Sequence, residues 1–244
     1  MYSWKTLRIL SAILLCVPLL HVSLIASRDL RDYLDPSPDV WDDELAAIIE
    51  QDQGTELPEH PILVAGGQRV RLWRDLPAAL RPRATLLRPL GDATLEDITH
   101  HYERLVAYYR PEVLIVLPSY ADLHLRDAKT PEEFAAALKD LLAVDASYAG
   151  TTRRYLLAPV KTLLHPEDDA RIEAMVAASR AVAAAYPATT VIDPNPILAD
   201  IQGSPDPDLY RSDGINLNSD GYARLSALLR ATLQDDGFCS SLPG

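Results

Sequence analysis

Five short apolar runs, 62–65, 84–87, 113–117, 155–158 and 190–192, alternate along this chain with stretches of helical period, and that alternation leaves few folds open. Each run is rich in Val, Ile or Leu and bounded by Pro, Gly or charge, as expected of a strand buried on both faces. Parallel strands need long crossovers, and those crossovers are right-handed helices packed against the sheet. The stretches between the runs supply them. Leu95, Ile98, Tyr102, Leu105 and Tyr109 fall on one helical face, with Thr94 and Asp97 placed for a capping box. Thr130-Pro131-Glu132-Glu133 combines a cap, a proline at the first helical position and a Glu to close the box. Further helices are predicted over 168–185 and 220–233, the second capped by Asn218 or Ser219. The pattern predicts a three-layer α/β/α, doubly wound domain of about five parallel strands, with a site at their C-terminal ends.

Composition narrows the function. Against 23 basic side chains stand 35 acidic ones, a formal charge of -12 that repels phosphate backbones, so nucleic acid is excluded as a partner. The two cysteines, Cys16 and Cys239, lie at opposite ends of the chain, and the six histidines show no HExxH or similar ligand pattern. No metal and no cofactor is implied.

At the N-terminus, Lys5 and Arg8 precede an uncharged run over residues 9–26. At about 1.5 Å per residue it just reaches across a hydrocarbon core of roughly 30 Å. Pro18 is placed to kink it and His21 to sit near an interface. A cleaved signal peptide fits less well, because Leu24 and Ile25 stand where its cleavage site wants small residues. The expectation is a single-pass membrane protein with its C-terminal domain extracytoplasmic, periplasmic in a Gram-negative cell. Basic residues nearly balance across the run, and the short tail with its free amine decides the orientation. The segments expected are an anchor at 1–27, an acidic linker at 28–60, a catalytic-type domain at 61–236 and a tail at 237–244. Within the linker Trp41, Leu45, Ile48 and Ile49 share the face of a short amphipathic helix, with Asp42, Asp43 and Glu44 at its start, packed on the domain or lying near the membrane.

Four stretches then stand in a telling order. The first is Gly66-Gly67-Gln68-Arg69-Val70-Arg71-Leu72-Trp73, the second Leu87-Arg88-Pro89-Leu90-Gly91-Asp92, and the third Ser119-Tyr120-Ala121-Asp122 after an apolar strand. The fourth is Asp213-Gly214-Ile215-Asn216-Leu217-Asn218-Ser219-Asp220-Gly221-Tyr222. Together, over roughly residues 61–235, they resemble the four blocks of the SGNH hydrolases, also called GDSL esterases and lipases, and especially a branch whose first block reads GSSSIRLW. The resemblance implies that Gln68 stands at the nucleophilic serine and that Gly91 keeps the glycine whose N–H serves the oxyanion hole. It places Ala121 at the oxyanion asparagine and Asn216 at the histidine, with Asp213 retained.

The chemistry lost is decisive. A serine attacks only if a base takes its proton, and an oxyanion forms readily only where donors already point at it. Gln68 has no nucleophilic oxygen, and the Asn216 amide cannot shuttle a proton near neutral pH. The expectation is a degenerate esterase fold that binds a ligand or an envelope protein in place of hydrolysis. An acylated lipid or an O-acetylated glycan is the ligand class the resemblance implies. The lining groups expected are Gln68, Arg69, Gly91, Tyr120, Asp122, Asp213 and Asn216. The alternative is an active esterase or acyltransferase with a displaced nucleophile, Ser119 working with His100, His101 or His124. Against it, His100 and His101 read as exposed helix residues and His124 as a loop residue.

Overall fold

The computed structural model describes residues 4–34, 37–124, 126–148 and 150–238, so Cys239 and the tail from 239 on lie outside the described residues. The chain runs α1 (Trp4–Leu34), a 3-10 turn (Pro38–Trp41), α2 (Asp42–Asp52), β1 (Ile62–Gly66), α3 (Gln68–Leu72), α4 (Leu76–Ala79) and β2 (Thr85–Pro89). It continues through α5 (Leu95–His100), α6 (Tyr102–Leu105), β3 (Val113–Leu117), α7 (Pro131–Ser147), β4 (Arg153–Leu157), α8 (Asp169–Ala183), β5 (Thr189–Ile192), α9 (Asn195–Leu198) and α10 (Ser219–Asp235). The five strands form one parallel sheet in the order β2-β1-β3-β4-β5. Strand order reverses between β1 and β3, which creates the switch point where doubly wound sheets place their sites. Register makes that point flush, for Gly66 at the end of β1 lies opposite both Pro89 of β2 and Leu117 of β3.

Alternate residues of each strand feed two cores. Leu63, Ala65, Leu114, Val116 and Leu156 join the core formed with α5, α7 and α8, whereas Ile62, Val64, Val113, Ile115 and Tyr155 join the core formed with α3, α4 and α10. The caps form as their residues dictate. Thr94 with Asp97 and Thr130 with Glu133 close capping boxes, and Asn218 caps α10 by accepting from the N–H groups of Asp220 and Gly221.

Three expectations need correction. The single-pass anchor is the first: residues 4–34 are one helix with Pro18 inside it, yet among the described residues no helix is long and apolar enough to cross a membrane. The helix contains Pro18, His21 and Ser23 within its apolar stretch and runs on through residues 28–32. The extracytoplasmic placement built on that anchor falls with it. Second, the helix expected over 95–109 is broken into α5, α6 and a 3-10 turn at Ala107–Tyr109, with His101 at the first break. Third, His101 is not exposed. Its ring is buried and its Nε2 lies 2.8 Å from the Pro38 carbonyl, tying the segment before α2 to the domain. That segment packs closely: Leu45 of α2 is fully buried in the core, with Trp41, Ile49 and Leu57 against it.

Candidate functional site

At the C-terminal ends of β1, β2 and β3 a cavity of about 300 Å³ is lined by Gln68, Arg69, Asp92, Ser119, Tyr120, Ile215 and Asn216. Glycines let these strand ends meet. A Cβ on Gly67 would lie 2.8 Å from the Ser119 Oγ and 3.0 Å from the Gly91 carbonyl oxygen, so only a bare backbone fits between the second and third blocks. Of the residues the sequence put forward, Gln68, Arg69, Tyr120 and Asn216 share this lining. Gly91, Asp122 and Asp213 do not belong to it. Asp92, Ser119 and Ile215 do, although the sequence reading named none of them as lining groups.

Asn216 is held in place by Asp213. Asp213 Oδ1 accepts the N–H groups of Ile215 and Asn216, both at 2.9 Å, and Asp213 Oδ2 accepts the Asn216 side-chain N–H at 2.9 Å. Burial works to raise the Asp213 pKa, but the Asn216 and Ile215 hydrogen bonds together outweigh it and hold the carboxyl below its ordinary value. The turn depends on Gly214, whose φ of +67° suits glycine and whose carbonyl accepts the Leu163 N–H at 2.8 Å. Asp213 therefore fixes an amide side chain, which cannot shuttle a proton, in the lining of the cavity.

Arg69 forms the floor. Buried to 2% exposure, it donates from Nη2 to the Ile215 carbonyl at 3.1 Å, while its own carbonyl accepts the Tyr222 hydroxyl at 2.9 Å. Its Nε and Nη1 are buried with no hydrogen-bond partner among the described residues. Burial pulls the guanidinium below its ordinary pKa, opposed by Tyr222, Tyr210, Tyr120 and Asp213.

Ala121 is buried. Gly91, with φ +39°, is covered by Trp41, whose ring would meet a Cβ there at 1.9 Å, and the Gly91 N–H points at the Glu44 Oε1 at 3.3 Å. Glu44 is itself ion-paired with Arg71. A carboxylate thus stands at the Gly91 N–H.

Asp122 turns out to be structural. It is fully buried, accepts the N–H groups of Leu95 and Ser119, both at 3.1 Å, and pairs with Lys129 at 3.2 Å. Burial pushes its carboxyl up to about 6 although Lys129 and the Leu95 N–H pull the other way. Ser119 Oγ accepts the Ala121 N–H at 3.2 Å, and among the described residues no imidazole hydrogen-bonds it. Of the three candidate bases, His101 is committed to Pro38, His100 lies beside Asp39 at 3.6 Å, and His124 is bonded to Asp168. Lys161, at the end of the fourth strand, is ion-paired with Glu173 at 2.7 Å and with Asp169 at 3.3 Å.

No protein-family model matches the chain, and no curated protein matches it in sequence. Solved structures do match in fold. A Streptococcus pneumonia protein named for platelet activating factor superposes with a TM-score of 0.67 at 17% identity, covering 88% of this chain and 99% of the other. A GDSL-like lipase from Bacteroides thetaiotaomicron gives 0.64 at 15% identity over 79% and 98% of the two chains. An acetylxylan esterase from Geobacillus stearothermophilus, in a catalytic mutant, gives 0.58 at 11% identity over 77% and 100%. The chain has an SGNH/GDSL hydrolase-like fold, and identities this low speak to the fold alone.

Proposed function

We propose that this protein uses an esterase-type cleft to bind an acyl-bearing ligand, an acylated lipid or an O-acetylated glycan, without hydrolysing it. One observation carries the reading. Gln68 and the Asp213-buttressed Asn216 line a single cavity, so the residues at the nucleophile and base positions of the SGNH pattern converge while neither can perform its step. In a serine hydrolase the loss of either group costs roughly a million-fold in kcat, and one oxyanion donor costs about a hundred- to a thousand-fold. Glu44 beside the Gly91 N–H adds a charge that opposes an oxyanion.

The same groups suit binding. Gln68 and Asn216 present amides above the Arg69 guanidinium, whose buried Nε and Nη1 have no acceptor among the described residues. An ester or acetyl carbonyl, or a polyol beside it, supplies acceptors for such donors. The neighbouring folds named for lipase and acetylxylan esterase activity are what bring these two ligand classes forward.

Titration calorimetry with an O-acetylated xylooligosaccharide and with a short-chain acyl lipid, each beside its deacylated counterpart, tests the proposal. The expected result is saturable binding of one acylated form, no product, and affinity lowered about tenfold or more by Gln68→Ala, the loss of one buried hydrogen bond to the ligand. Equal binding of acylated and deacylated forms, or none of either, would overturn it. Labelling by a serine-directed phosphonate that Ser119→Ala abolishes would instead establish a displaced nucleophile.

A further inference from the structure

Beside the cleft, two crossovers bring together side chains far apart in sequence. His124 follows the 3-10 turn Tyr120–Asp122 at the end of β3, and His165 and Asp168 come from the loop between β4 and α8. One ring nitrogen from each histidine and one Asp168 oxygen all lie within 4.8 Å of one another. His124 Nε2 is hydrogen-bonded to Asp168 Oδ2, and the two imidazoles stack with centroids 4.1 Å apart and planes at 23°. The geometry points to a binding site for a divalent transition-metal ion, Zn²⁺ in the first instance, with His124, His165 and Asp168 as its protein ligands.

The surrounding groups support that assignment. His165 Nδ1 lies 2.8 Å from the Glu167 carboxylate, an arrangement that makes Nδ1 the donor and leaves the lone pair on Nε2. A carboxylate behind a ligating imidazole orients zinc ligands and raises their basicity. Asp168 Oδ1 accepts Arg171 Nη2 at 2.8 Å, which fixes the carboxylate and keeps Oδ2 for the ion. Arg171 also donates to the Leu123 carbonyl at 3.1 Å, so the two crossovers are cross-braced next to the site. Two imidazoles and one carboxylate are a borderline donor set, suited to zinc, cobalt or nickel and poorly suited to calcium or magnesium.

Metal bonds of about 2.0–2.2 Å in a tetrahedron put ligand atoms about 3.4 Å apart, so the hydrogen-bonded His124–Asp168 pair has to open to admit the ion while any wider separation, all being within 4.8 Å, closes. Both histidine side chains are 26% exposed, which gives an ion entry and leaves a fourth position for water. The Tyr120 ring stacks on both imidazoles, at 5.0 and 6.0 Å, and the same residue lines the cleft. An ion here would stiffen one wall of that cavity. The pattern escapes a sequence scan because no local spacing joins residue 124 to residue 165.

The test is titration of the metal-free full chain with Zn²⁺ alone by calorimetry, and with Co²⁺ alone by visible absorption. The expected result is one equivalent of Zn²⁺, a cobalt spectrum of tetrahedral type, and a Zn²⁺-dependent rise in thermal midpoint. The double variant His124→Ala/His165→Ala is expected to lose stoichiometric binding. Glu167→Gln, which leaves all three ligands in place, should weaken binding about 10- to 100-fold. His100→Ala, outside the cluster, should bind as the parent does. Circular dichroism of each metal-free variant establishes that its fold is retained, and isosteric Asp168→Asn serves if the double variant fails to fold. No stoichiometric binding by the parent, or undiminished binding by a folded His124→Ala/His165→Ala or Asp168→Asn variant, would overturn the assignment.

Discussion

At the scale of single residues, two carboxylates near the cleft behave oppositely, and both behaviours follow from their partners. Asp213 has a folded-state pKa held below its ordinary value by donors from Asn216 and Ile215. Its stabilising contribution is full above the unfolded pKa of about 3.9 and is lost as pH falls through the folded value. Asp213→Asn should therefore lower stability at pH 7, by an amount that shrinks as pH falls below 4, which urea unfolding at successive pH values would read. Asp122 is the reverse case: with its carboxyl pushed up to about 6 by burial, the folded protein binds a proton that the unfolded chain releases. From this group alone, stability rises as pH drops from 6 towards 4. Replacing it by an amide is still harmful at pH 7. Lys129 keeps Glu96 and Asp127, so the loss comes from the amide donor that Asp122→Asn turns towards one of the Leu95 and Ser119 N–H groups. The expected cost is about 1–3 kcal/mol in chemical denaturation.

At the scale of elements, α2 is the piece that decides how the oxyanion side is built. Leu45 anchors it in the core, Trp41 lies over Gly91 and beneath the Arg126 guanidinium at 5.0 Å, and Glu44 reaches the Gly91 N–H. Leu45→Ala should cost about 2–5 kcal/mol, as large-to-small core changes do, and the loss should appear in the denaturation midpoint. Glu44→Ala acts differently. The Glu44–Arg71 pair is partly exposed and adds at most about 1 kcal/mol, but removing the carboxylate frees the Gly91 amide, whose hydrogen exchange should quicken about fivefold while exchange in β1 and β3 stays unchanged.

This element also marks where the sequence stops being readable. The caps at Thr94, Thr130 and Asn218 and the five strands are local signals, written in a few neighbouring residues each, and they were legible to within about two residues. The amphipathic face of Trp41, Leu45 and Ile49 was legible too. Its destination was not, because nothing local says that a helix 47 residues upstream will set a carboxylate on the Gly91 N–H. The same holds for the histidine–aspartate cluster and for His101, whose burial depends on the Pro38 carbonyl arriving from another part of the chain. Asp122 was misplaced for a related reason: the third block fixes where its backbone lies, but the Lys129 and Leu95 partners that make it structural come from outside that block.

At the scale of the whole molecule, strand order 2-1-3-4-5 and flush strand ends bring Gln68, Asp92 and Ser119 to one switch point, where Asn216 from the loop before α10 completes the lining. The N-terminal helix shows the limit of reading hydropathy by segment: an uncharged run suggests an anchor, whereas among the described residues no helix is long and apolar enough to cross a membrane. Net charge is a global property and remains informative. At -12 the chain should not be retained on immobilised duplex DNA or heparin at about 50 mM salt, where a basic surface would bind most strongly; retention would reveal a concealed cationic face.

The central claim is that the esterase frame persists around groups that cannot do esterase chemistry. The most direct measurement is hydrolysis of an aryl acetate by the full chain beside the variant Gln68→Ser/Ala121→Asn/Asn216→His, each with and without Glu44→Ala. The account predicts no turnover above background for the parent, measurable turnover for the restored variant, and a further gain when Glu44 is removed. Turnover by the parent that Ser119→Ala abolishes, or a folded restored variant that stays silent in both backgrounds, would contradict it.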